Sequence, residues 1–259
     1  MSTNILEKIM AERRADAEAA RRVTPAARLL ELARSRRHHS LAASLRSTPA
    51  PRIIAEAKKA SPSAGVLVDP YEPDVIARQY ETAGAAGVSV LTEPRHFLGD
   101  GEHIRQVRRA VSLPILRKDF ISDPYQIQEA AAWGADVVLL IVAGLDRPRV
   151  LDLYAAAVDL RLDVLVEVHT PEELKVALEC GQAILGVNSR NLKTLKTDLA
   201  VALALAPQIP KDRLAIAESG IRTREDVRRL QDVGYAGFLI GESLLRGGDP
   251  GRALRALRS

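Results

Sequence analysis

The length, composition and charge of the chain exclude several classes of protein. With 259 residues, 47% of them hydrophobic, it is long enough for one large α/β barrel or two small domains with a sizeable core. Its single cysteine, Cys180, excludes an internal disulfide framework and a cysteine-based zinc site. No apolar run approaches a membrane span, and since the sequence also shows no signal peptide, we expect a cytoplasmic protein with no membrane partner.

The charge balance favours a small anionic ligand over nucleic acid. The chain has 37 Lys and Arg residues against 33 Asp and Glu residues, which gives a formal net charge of +4. Such a basic surface could attract anionic small molecules or nucleic acid. Because only 3% of the residues are aromatic and no nucleic-acid-binding motif is present, we expect a small-molecule ligand and no nucleic acid.

The amino-terminal segment is predicted to form helices that precede the main repeat. Ala, Arg, Glu and Leu recur at helical spacing from Ile5 to Arg22 and from Pro25 to Arg37. His38, His39 and Ser40 are predicted to break the helical pattern before a third, short helix that ends at Arg46. We therefore predict a helical extension over residues 1–47.

A recurring pattern fills the rest of the chain. Helical stretches end in glycine, and an apolar strand begins one or two residues later, at Gly84, Gly134, Gly181 and Gly234. Each step between these glycines has room for two βα units, since one unit takes about 25 residues in a barrel of eight. The predicted strands run from Ile53 to Ala57, Gly87 to Leu91, Ile115 to Lys118, Asp136 to Val142, Val164 to Val168, Ala183 to Val187, Leu214 to Glu218 and Gly237 to Ile240.

The pattern of the strands predicts how they assemble. Strands that alternate with helices and are apolar along nearly their whole length indicate a parallel sheet, and eight such units indicate a closed barrel. We predict an α/β fold, a single (β/α)8 TIM barrel over residues 52–259 with the amino-terminal helical extension, all within one domain over residues 1–259. An open, doubly wound sheet is the alternative, but no Gly-x-Gly-x-x-Gly turn follows the first strand.

Charged and polar side chains cluster at the predicted carboxyl ends of the strands, where the active site of a TIM barrel lies. Lys118 interrupts the apolar run of the third strand, and we expect burial to lower its pKa and suit it to proton transfer. Charges in this place are costly unless they are paired or used, so an ion-pair network that only closes the barrel is the alternative to a catalytic site. The other candidates are Glu56, Lys58, Glu167, Asn188, Arg190, Glu218 and Glu242.

Two short loops predict a phosphate site. In many barrels a phosphate lies between the loops after the seventh and eighth strands, held by backbone amides. Ser219-Gly220-Ile221 and Gly241-Glu242-Ser243 occupy these places, and glycine lets the backbone approach the phosphate oxygens closely. The loop after the first strand, which contains Ser61, is expected to be mobile and to cover the ligand. These loops predict a phosphorylated small-molecule substrate.

Four motifs of the chain are distinctive: Ile54-Ala55-Glu56-Ala57-Lys58 with Ser61-Pro62-Ser63, Pro114-Ile115-Leu116-Arg117-Lys118-Asp119-Phe120, Gly186-Val187-Asn188-Ser189-Arg190-Asn191-Leu192 and Ala217-Glu218-Ser219-Gly220-Ile221. Together they resemble the indole-3-glycerol phosphate synthases, a family of ring-closing enzymes of tryptophan biosynthesis. The resemblance covers essentially the whole chain. It implies that 1-(2-carboxyphenylamino)-1-deoxyribulose 5-phosphate is converted to indole-3-glycerol phosphate, carbon dioxide and water by a carboxy-lyase that uses no metal and no organic cofactor.

The same resemblance implies roles for the candidate residues. Lys118 is similar in position to the general acid of the family and Glu167 to its base, while Lys58 is a second acid or a partner for the substrate carboxylate. Glu242 stands where some members have serine. The further catalytic candidates are Glu56, Asn188 and Glu218; the substrate-binding candidates are Ser61, Phe120, Leu139, Arg190 and Ser219; the phosphate-binding candidates are Ser61, Gly220, Gly241 and Glu242. The amino-terminal helices, Phe120 and Leu139 are expected to form an apolar wall for the anthranilate ring.

Two alternative functions and the assembly stay open at this point. Phosphoribosylanthranilate isomerase is also a phosphate-binding barrel, but its acid–base pair resembles a Cys/Asp design. Cys180 is expected at a helix end opposite the mouth, which disfavours this alternative. The other alternative is a barrel that binds a phosphorylated ligand without converting it, and only an activity assay distinguishes it from the enzyme. No heptad seam marks a dimer interface, so we expect a monomer and leave a homodimer open.

Overall fold

A closed parallel barrel forms the centre of the computed structural model, which describes residues 5–34, 37–191, 194 and 196–259. Within these residues the barrel strands are β1 Ile53–Ala57, β2 Gly87–Leu91, β3 Ile115–Lys118, β4 Val137–Ile141, β5 Asp163–Val168, β6 Ile184–Asn188, β7 Ala215–Glu218 and β8 Gly237–Ile240. They pair in sequence order, and β8 pairs with β1 to close the barrel. The predicted fold class and TIM barrel are confirmed.

Helices surround the barrel and also precede it. The described helices are α1 Ile5–Val23, α2 Ala26–Arg34, α3 Leu41–Ser47, α4 Pro73–Thr82, α5 Gly101–Ala110, α6 Pro124–Trp133, α7 Arg147–Asp159, α8 Pro171–Leu178, α9 Ala200–Leu205, α10 Arg224–Asp232, α11 Glu242–Leu245 and α12 Pro250–Arg258. A small antiparallel hairpin, Ala60–Ser61 with Gly65–Val66, follows β1. Throughout the described chain, every helix is too short or too polar to cross a bilayer.

The repeat that predicted the barrel has a local physical cause. Gly134 and Gly234 have φ angles of 99° and 106°, in the left-handed region that ends a helix and that glycine adopts without steric cost. At the start of these same helices, Asp123 and Thr223 accept hydrogen bonds from backbone N–H groups of α6 and α10. These end signals set the length of each βα unit, so the predicted strand bounds agree with the structure to within one residue.

The strands bury two different apolar faces. Ile53 and Ala55 of β1 point outward into the layer beneath the surrounding helices. Ile54 points inward and belongs to a second cluster that fills the barrel. The same alternation along the other strands fills the interior with Leu116, Val137, Leu139, Leu165, Ile184, Ile216 and Leu239. Because side chains alternate along a strand, the position two residues after an inward apolar side chain also faces inward, nearer the carboxyl end.

The three amino-terminal helices lie in three different places, which corrects the expectation that they form the site wall together. Only α1 reaches the carboxyl end of the barrel, where Met10 contacts Gly144. Helix α2 packs on α6, with Leu29 and Tyr125 in one buried cluster. Helix α3 closes the opposite end, because Leu45 packs against Gly237 at the start of β8.

A buried ion-pair network fixes α1 to the barrel. The Arg13 guanidinium donates hydrogen bonds to Asp119 Oδ1 and Oδ2 at 2.9 and 2.7 Å, and Asp119 also binds Arg117 and Thr92. Although burial opposes ionisation of Asp119, Arg117 and Arg13 hold the pKa of its carboxyl well below the usual range. Since Asp119 directly follows Lys118, the network ties α1 to the end of β3.

We expect Arg13→Met to destabilise the fold by about 3 kcal/mol, because it leaves the buried Asp119 carboxylate without one of its two arginines. Urea unfolding of this variant and of Arg14→Met, an exposed neighbour on the same helix, measures the effect. Because the pKa of Asp119 is lowered, the difference from wild type should persist at neutral pH and shrink in acid below about pH 4. Equal unfolding midpoints for wild type and Arg13→Met would contradict this interpretation.

Candidate active site

A cavity of about 550 Å³ opens at the carboxyl ends of the strands. A space of this size suits a small organic substrate. Every candidate site residue named from the sequence lines it: Glu56, Lys58, Ser61, Lys118, Phe120, Leu139, Glu167, Asn188, Arg190, Glu218, Ser219, Gly220, Gly241 and Glu242. Of the four motifs that carry the resemblance, only Leu192 lies outside the described residues.

The alternation of the strands explains why the charged residues converge. Lys118 comes two residues after the inward-facing Leu116, and Glu167 comes two residues after the inward-facing Leu165. Glu218 follows Ile216 in the same way. Glycine at position 186 is required next to them, since a Cβ atom there would collide with the Glu218 carboxylate.

Two sets of ion-paired side chains form the polar floor of the cavity. Lys118 Nζ lies 2.9 Å from Glu167 Oε2 and 2.7 Å from Glu218 Oε2. Lys58 Nζ lies 2.6 Å from Glu56 Oε1. The side chain of Lys118 is 14% exposed, so its proton can reach a ligand in the cavity although most of the side chain is desolvated.

The pKa of Lys118 is raised, and the expectation that it is lowered is wrong. Burial does oppose the charged ammonium, but Glu167 and Glu218, with a smaller contribution from Glu56, outweigh it and raise the pKa of Lys118 above its ordinary value. The expected lowering came from burial alone. A neighbouring carboxylate raises the pKa of an ammonium, and β5 and β7 bring two carboxylates to Lys118. Lys118 is therefore held protonated, in the form that can donate a proton.

The two carboxylates beside Lys118 differ in their proton affinity. Burial opposes ionisation of Glu167, but Lys118, His169 and a hydrogen bond from Asn188 lower the pKa of this carboxyl. Burial raises the pKa of Glu218, and repulsion from Glu167 adds to the effect against the attraction of Lys118. Neighbouring carboxyls whose pKa values are pushed apart commonly serve as separate proton acceptor and donor groups.

An apolar wall faces the charged floor. Phe120 and Leu139 were expected there, and the rings of Phe120 and Phe97 lie 6.0 Å apart. The sequence analysis did not identify the other apolar lining residues, which are Ile5, Leu6, Ile9, Leu91, Phe97, Ile141, Ile221, Leu239 and Ile240. The amino-terminal helices were expected to contribute to this wall, and α1 does so through Ile5, Leu6 and Ile9.

The loops after β7 and β8 form the opposite end of the cavity. Ser219 and Gly220 have φ angles of 65° and 80°, so both residues hold an unusual turn that exposes the backbone at the cavity. Two arginines that sequence reasoning missed, Arg222 and Arg246, line the cavity here. Glu242 is ion-paired with Arg246, an arrangement that the sequence could have indicated from their spacing of four residues.

A separate group of possible metal ligands lies between α1 and the loop after β2. In the part of the chain that the structure describes, the cluster close enough to share an ion is Glu12, Glu93 and His96. Glu93 already accepts hydrogen bonds from the backbone N–H groups of Arg95, His96 and Phe97, and Glu12 Oε2 lies 2.9 Å from His96 Nε2. These contacts shape the loop and fix α1, which accounts for the cluster without an ion.

The fold recurs in solved structures of low sequence identity. The 3-hexulose-6-phosphate synthase of Salmonella typhimurium superposes with a TM-score of 0.64 at 15% identity, covering 80% of this chain and 96% of that chain. A mutant tryptophan synthase alpha-subunit from Pyrococcus furiosus gives 0.62 at 15% identity over 80% and 97%. At this identity the likeness shows the barrel fold alone.

The closed barrel, with acid–base groups over a cavity at the carboxyl ends of its strands, defines a TIM-barrel enzyme. The family model for indole-3-glycerol phosphate synthase matches residues 6–257. The indole-3-glycerol phosphate synthase of Carboxydothermus hydrogenoformans is 44% identical over 97% of this chain and 98% of its own, and that of Rhodospirillum rubrum is 51% identical over 80% and 79%. The chain belongs to the indole-3-glycerol phosphate synthase family.

Proposed function

We propose that the protein closes the indole ring in tryptophan biosynthesis, converting 1-(2-carboxyphenylamino)-1-deoxyribulose 5-phosphate to indole-3-glycerol phosphate, carbon dioxide and water. The observation that carries the proposal is the position of Lys118 between Glu167 and Glu218 at the floor of a cavity with an apolar wall. A ring closure of this kind needs a proton donor and a proton acceptor that do not neutralise each other, and the different environments of these groups meet that need.

In the first step, the aromatic carbon that bears the carboxylate attacks the ketone carbon of the ribulose chain. The ketone oxygen gains negative charge as the new carbon–carbon bond forms, and Lys118 supplies the proton that makes it a hydroxyl. Lys118 can do this because its raised pKa keeps it protonated before the reaction. The carbon–carboxylate bond then breaks, carbon dioxide leaves, and its electron pair restores the aromatic ring.

In the last step, the hydroxyl leaves as water and a proton is lost from the adjacent ring carbon. Glu167 accepts this proton, because its lowered pKa keeps it ionised. A second acid must protonate the leaving hydroxyl. Lys58, fixed by Glu56 at 2.6 Å, is our assignment for that acid or for the partner of the substrate carboxylate. Asn188 orients Glu167 through its side-chain hydrogen bond.

The two ends of the cavity divide the substrate between them. The anthranilate ring lies against the apolar wall that includes Phe120 and Leu139. The phosphate of the substrate lies at the other end, near Ser61, Arg190 and the backbone at Gly220 and Gly241. We assign Glu242 an indirect part, since its carboxylate binds Arg246 and lies 3.9 Å from Arg190 Nη2. It therefore sets the positions of the basic groups around the phosphate.

The wall from α1 provides a test of substrate placement. Ile9→Ala removes part of this wall, and the lost apolar contact should raise KM by about tenfold with little change in kcat. Val23→Ala on the same helix is the matched control, because Val23 is 83% exposed. Steady-state kinetics with purified variants measure both constants. An unchanged KM for Ile9→Ala would show that the substrate ring lies elsewhere.

Product analysis tests the proposed function against its alternatives. Purified protein is mixed with the carboxyphenylamino substrate, and indole fluorescence and released carbon dioxide are followed together. Equal amounts of indole product and carbon dioxide are expected. An isomerase would instead convert phosphoribosylanthranilate without releasing carbon dioxide, and Cys180, the residue closest to such a design, is fully buried after α8. Substrate binding without either product would identify a non-catalytic barrel.

Assembly and cellular location are further parts of the proposal. We propose a monomer that works in the cytoplasm on its small phosphorylated substrate, since each barrel contributes every group named above. Light scattering of the purified protein, with and without substrate, tests the assembly. A stable dimer whose dissociation leaves turnover unchanged would correct the assembly but not the chemistry.

A further inference from the structure

A histidine next to the proposed base is not used by the chemistry above. His169 directly follows β5, and its side chain is 13% exposed. Its Nδ1 lies 3.3 Å from Oε2 of Glu173 on α8, and that same oxygen accepts a hydrogen bond from the His169 backbone N–H at 2.7 Å. The imidazole ring is thus held in a fixed orientation by the first turn of α8.

The other ring nitrogen faces the base. His169 Nε2 lies 3.6 Å from Glu167 Oε1, whereas Lys118 binds Glu167 Oε2 at 2.9 Å. Nε2 is buried and lacks a hydrogen-bond partner among the described residues. If Nε2 carried no proton, two lone-pair acceptors would face each other in a buried place. A proton on Nε2 removes this conflict, since it points a donor at the carboxylate. Nδ1 likewise faces the carboxylate oxygen of Glu173, and only the imidazolium makes both nitrogens donors.

We propose that His169, as an imidazolium, is a positioning residue that keeps Glu167 ionised and oriented while Lys118 gives up its proton; this inference rests on the proposed function. The charged groups that surround the ring come from four elements: Glu167 on β5, Glu173 on α8, Glu218 on β7 and, beyond Glu167, Lys118 on β3. Three of these four groups are carboxylic acids. Burial opposes protonation of the imidazole, but Glu173 and Glu167 outweigh it and raise the pKa of His169.

The reaction itself creates the need for a second cation. Before ring closure, Lys118 stabilises the ionised form of Glu167. Once Lys118 has donated its proton, it is neutral, and burial then favours proton uptake by Glu167. A carboxyl protonated at that moment could not accept the proton that dehydration releases. His169 supplies a positive charge that is not consumed in the first step.

The pH profile of kcat/KM tests this inference. In His169→Gln, loss of the cation raises the pKa of Glu167, so the acid limb should move upward by about 0.5 to 1 pH unit, with kcat/KM about three- to tenfold lower at the acid end of the profile and near wild type at pH 8.5. KM should stay within about twofold. His103→Gln, on α5, is the matched histidine control. An acid limb in His169→Gln that coincides with wild type overturns the proposal.

A measurement on the wild-type protein covers the case in which His169→Gln does not fold. Nitrogen NMR of labelled histidines should show that both nitrogens of His169 stay protonated at pH values above about 6.5, the ordinary histidine pKa. The His169 pKa should fall in Glu167→Gln, which removes one facing carboxylate. A neutral His169 ring at pH 6.5 in wild type overturns the proposal. Absence of wild-type turnover would instead contradict the proposed function, so the two failures are distinguishable.

Discussion

Lys118→Arg is expected to lower kcat by about a hundredfold or more. An arginine keeps the positive charge at the end of β3, but its delocalised guanidinium gives up a proton less readily than an ammonium in the same surroundings, and its planar fork is bulkier. Binding of the reduced, non-cyclising substrate analogue should change much less, because both residues present a cation to the cavity. Single-turnover kinetics and calorimetric titration of the analogue separate the two effects.

Two further variants control for size and for charge at Lys118. Lys118→Met removes both the proton and the charge and should lose at least as much turnover as Lys118→Arg. Lys175→Met on α8 removes an exposed lysine and should match wild type. If Lys118→Arg kept near-normal turnover while Lys118→Met lost it, positive charge alone would be the contribution of this residue, and the assignment of a general acid would be wrong.

Glu167→Gln should lower kcat by about two to four orders of magnitude. The amide keeps the shape of the side chain and can still hydrogen bond to Asn188, but it cannot accept the proton that leaves in dehydration. Because Lys118 keeps Glu218 at 2.7 Å, the ammonium stays paired and substrate should still bind. The variant should therefore release carbon dioxide faster than it forms indole, which stopped-flow measurements of both products detect.

An exposed carboxylate on the same side of the barrel provides the control. Glu172 lies in the first turn of α8 and is exposed, so the Glu172→Gln variant should turn over substrate like wild type. Wild-type turnover in Glu167→Gln would exclude Glu167 as the base and leave Glu56 or Glu218 as the acceptor.

Much of the fold and the catalytic floor could be predicted because each depends on local patterns. Helix-ending glycines and apolar strands repeat along the chain, and these features specify a barrel without knowledge of distant contacts. The positions of Lys118 and Glu167 follow from the same reasoning, because strand alternation places both inward, two residues after a buried leucine. The family motifs then supplied roles that alternation alone could not.

The parts that were missed depend on contacts between distant parts of the sequence. Lys118 and Glu218 are 100 residues apart, and their contact reverses the expected direction of the Lys118 pKa shift. Arg13 and Asp119 are 106 residues apart, so no local pattern indicated the buried ion pair that fixes α1 to the barrel. His169 looked like an ordinary residue before α8, since its importance comes from the orientation of its ring toward Glu167.

The most direct test of the account is a single-turnover reaction of the wild-type protein with 1-(2-carboxyphenylamino)-1-deoxyribulose 5-phosphate. With enzyme in excess, the account predicts that carbon dioxide and indole fluorescence both reach one equivalent of substrate, and that Lys118→Met forms neither on the same timescale. Substrate that binds and is recovered unchanged from the wild-type protein would contradict the account, as would full conversion by Lys118→Met.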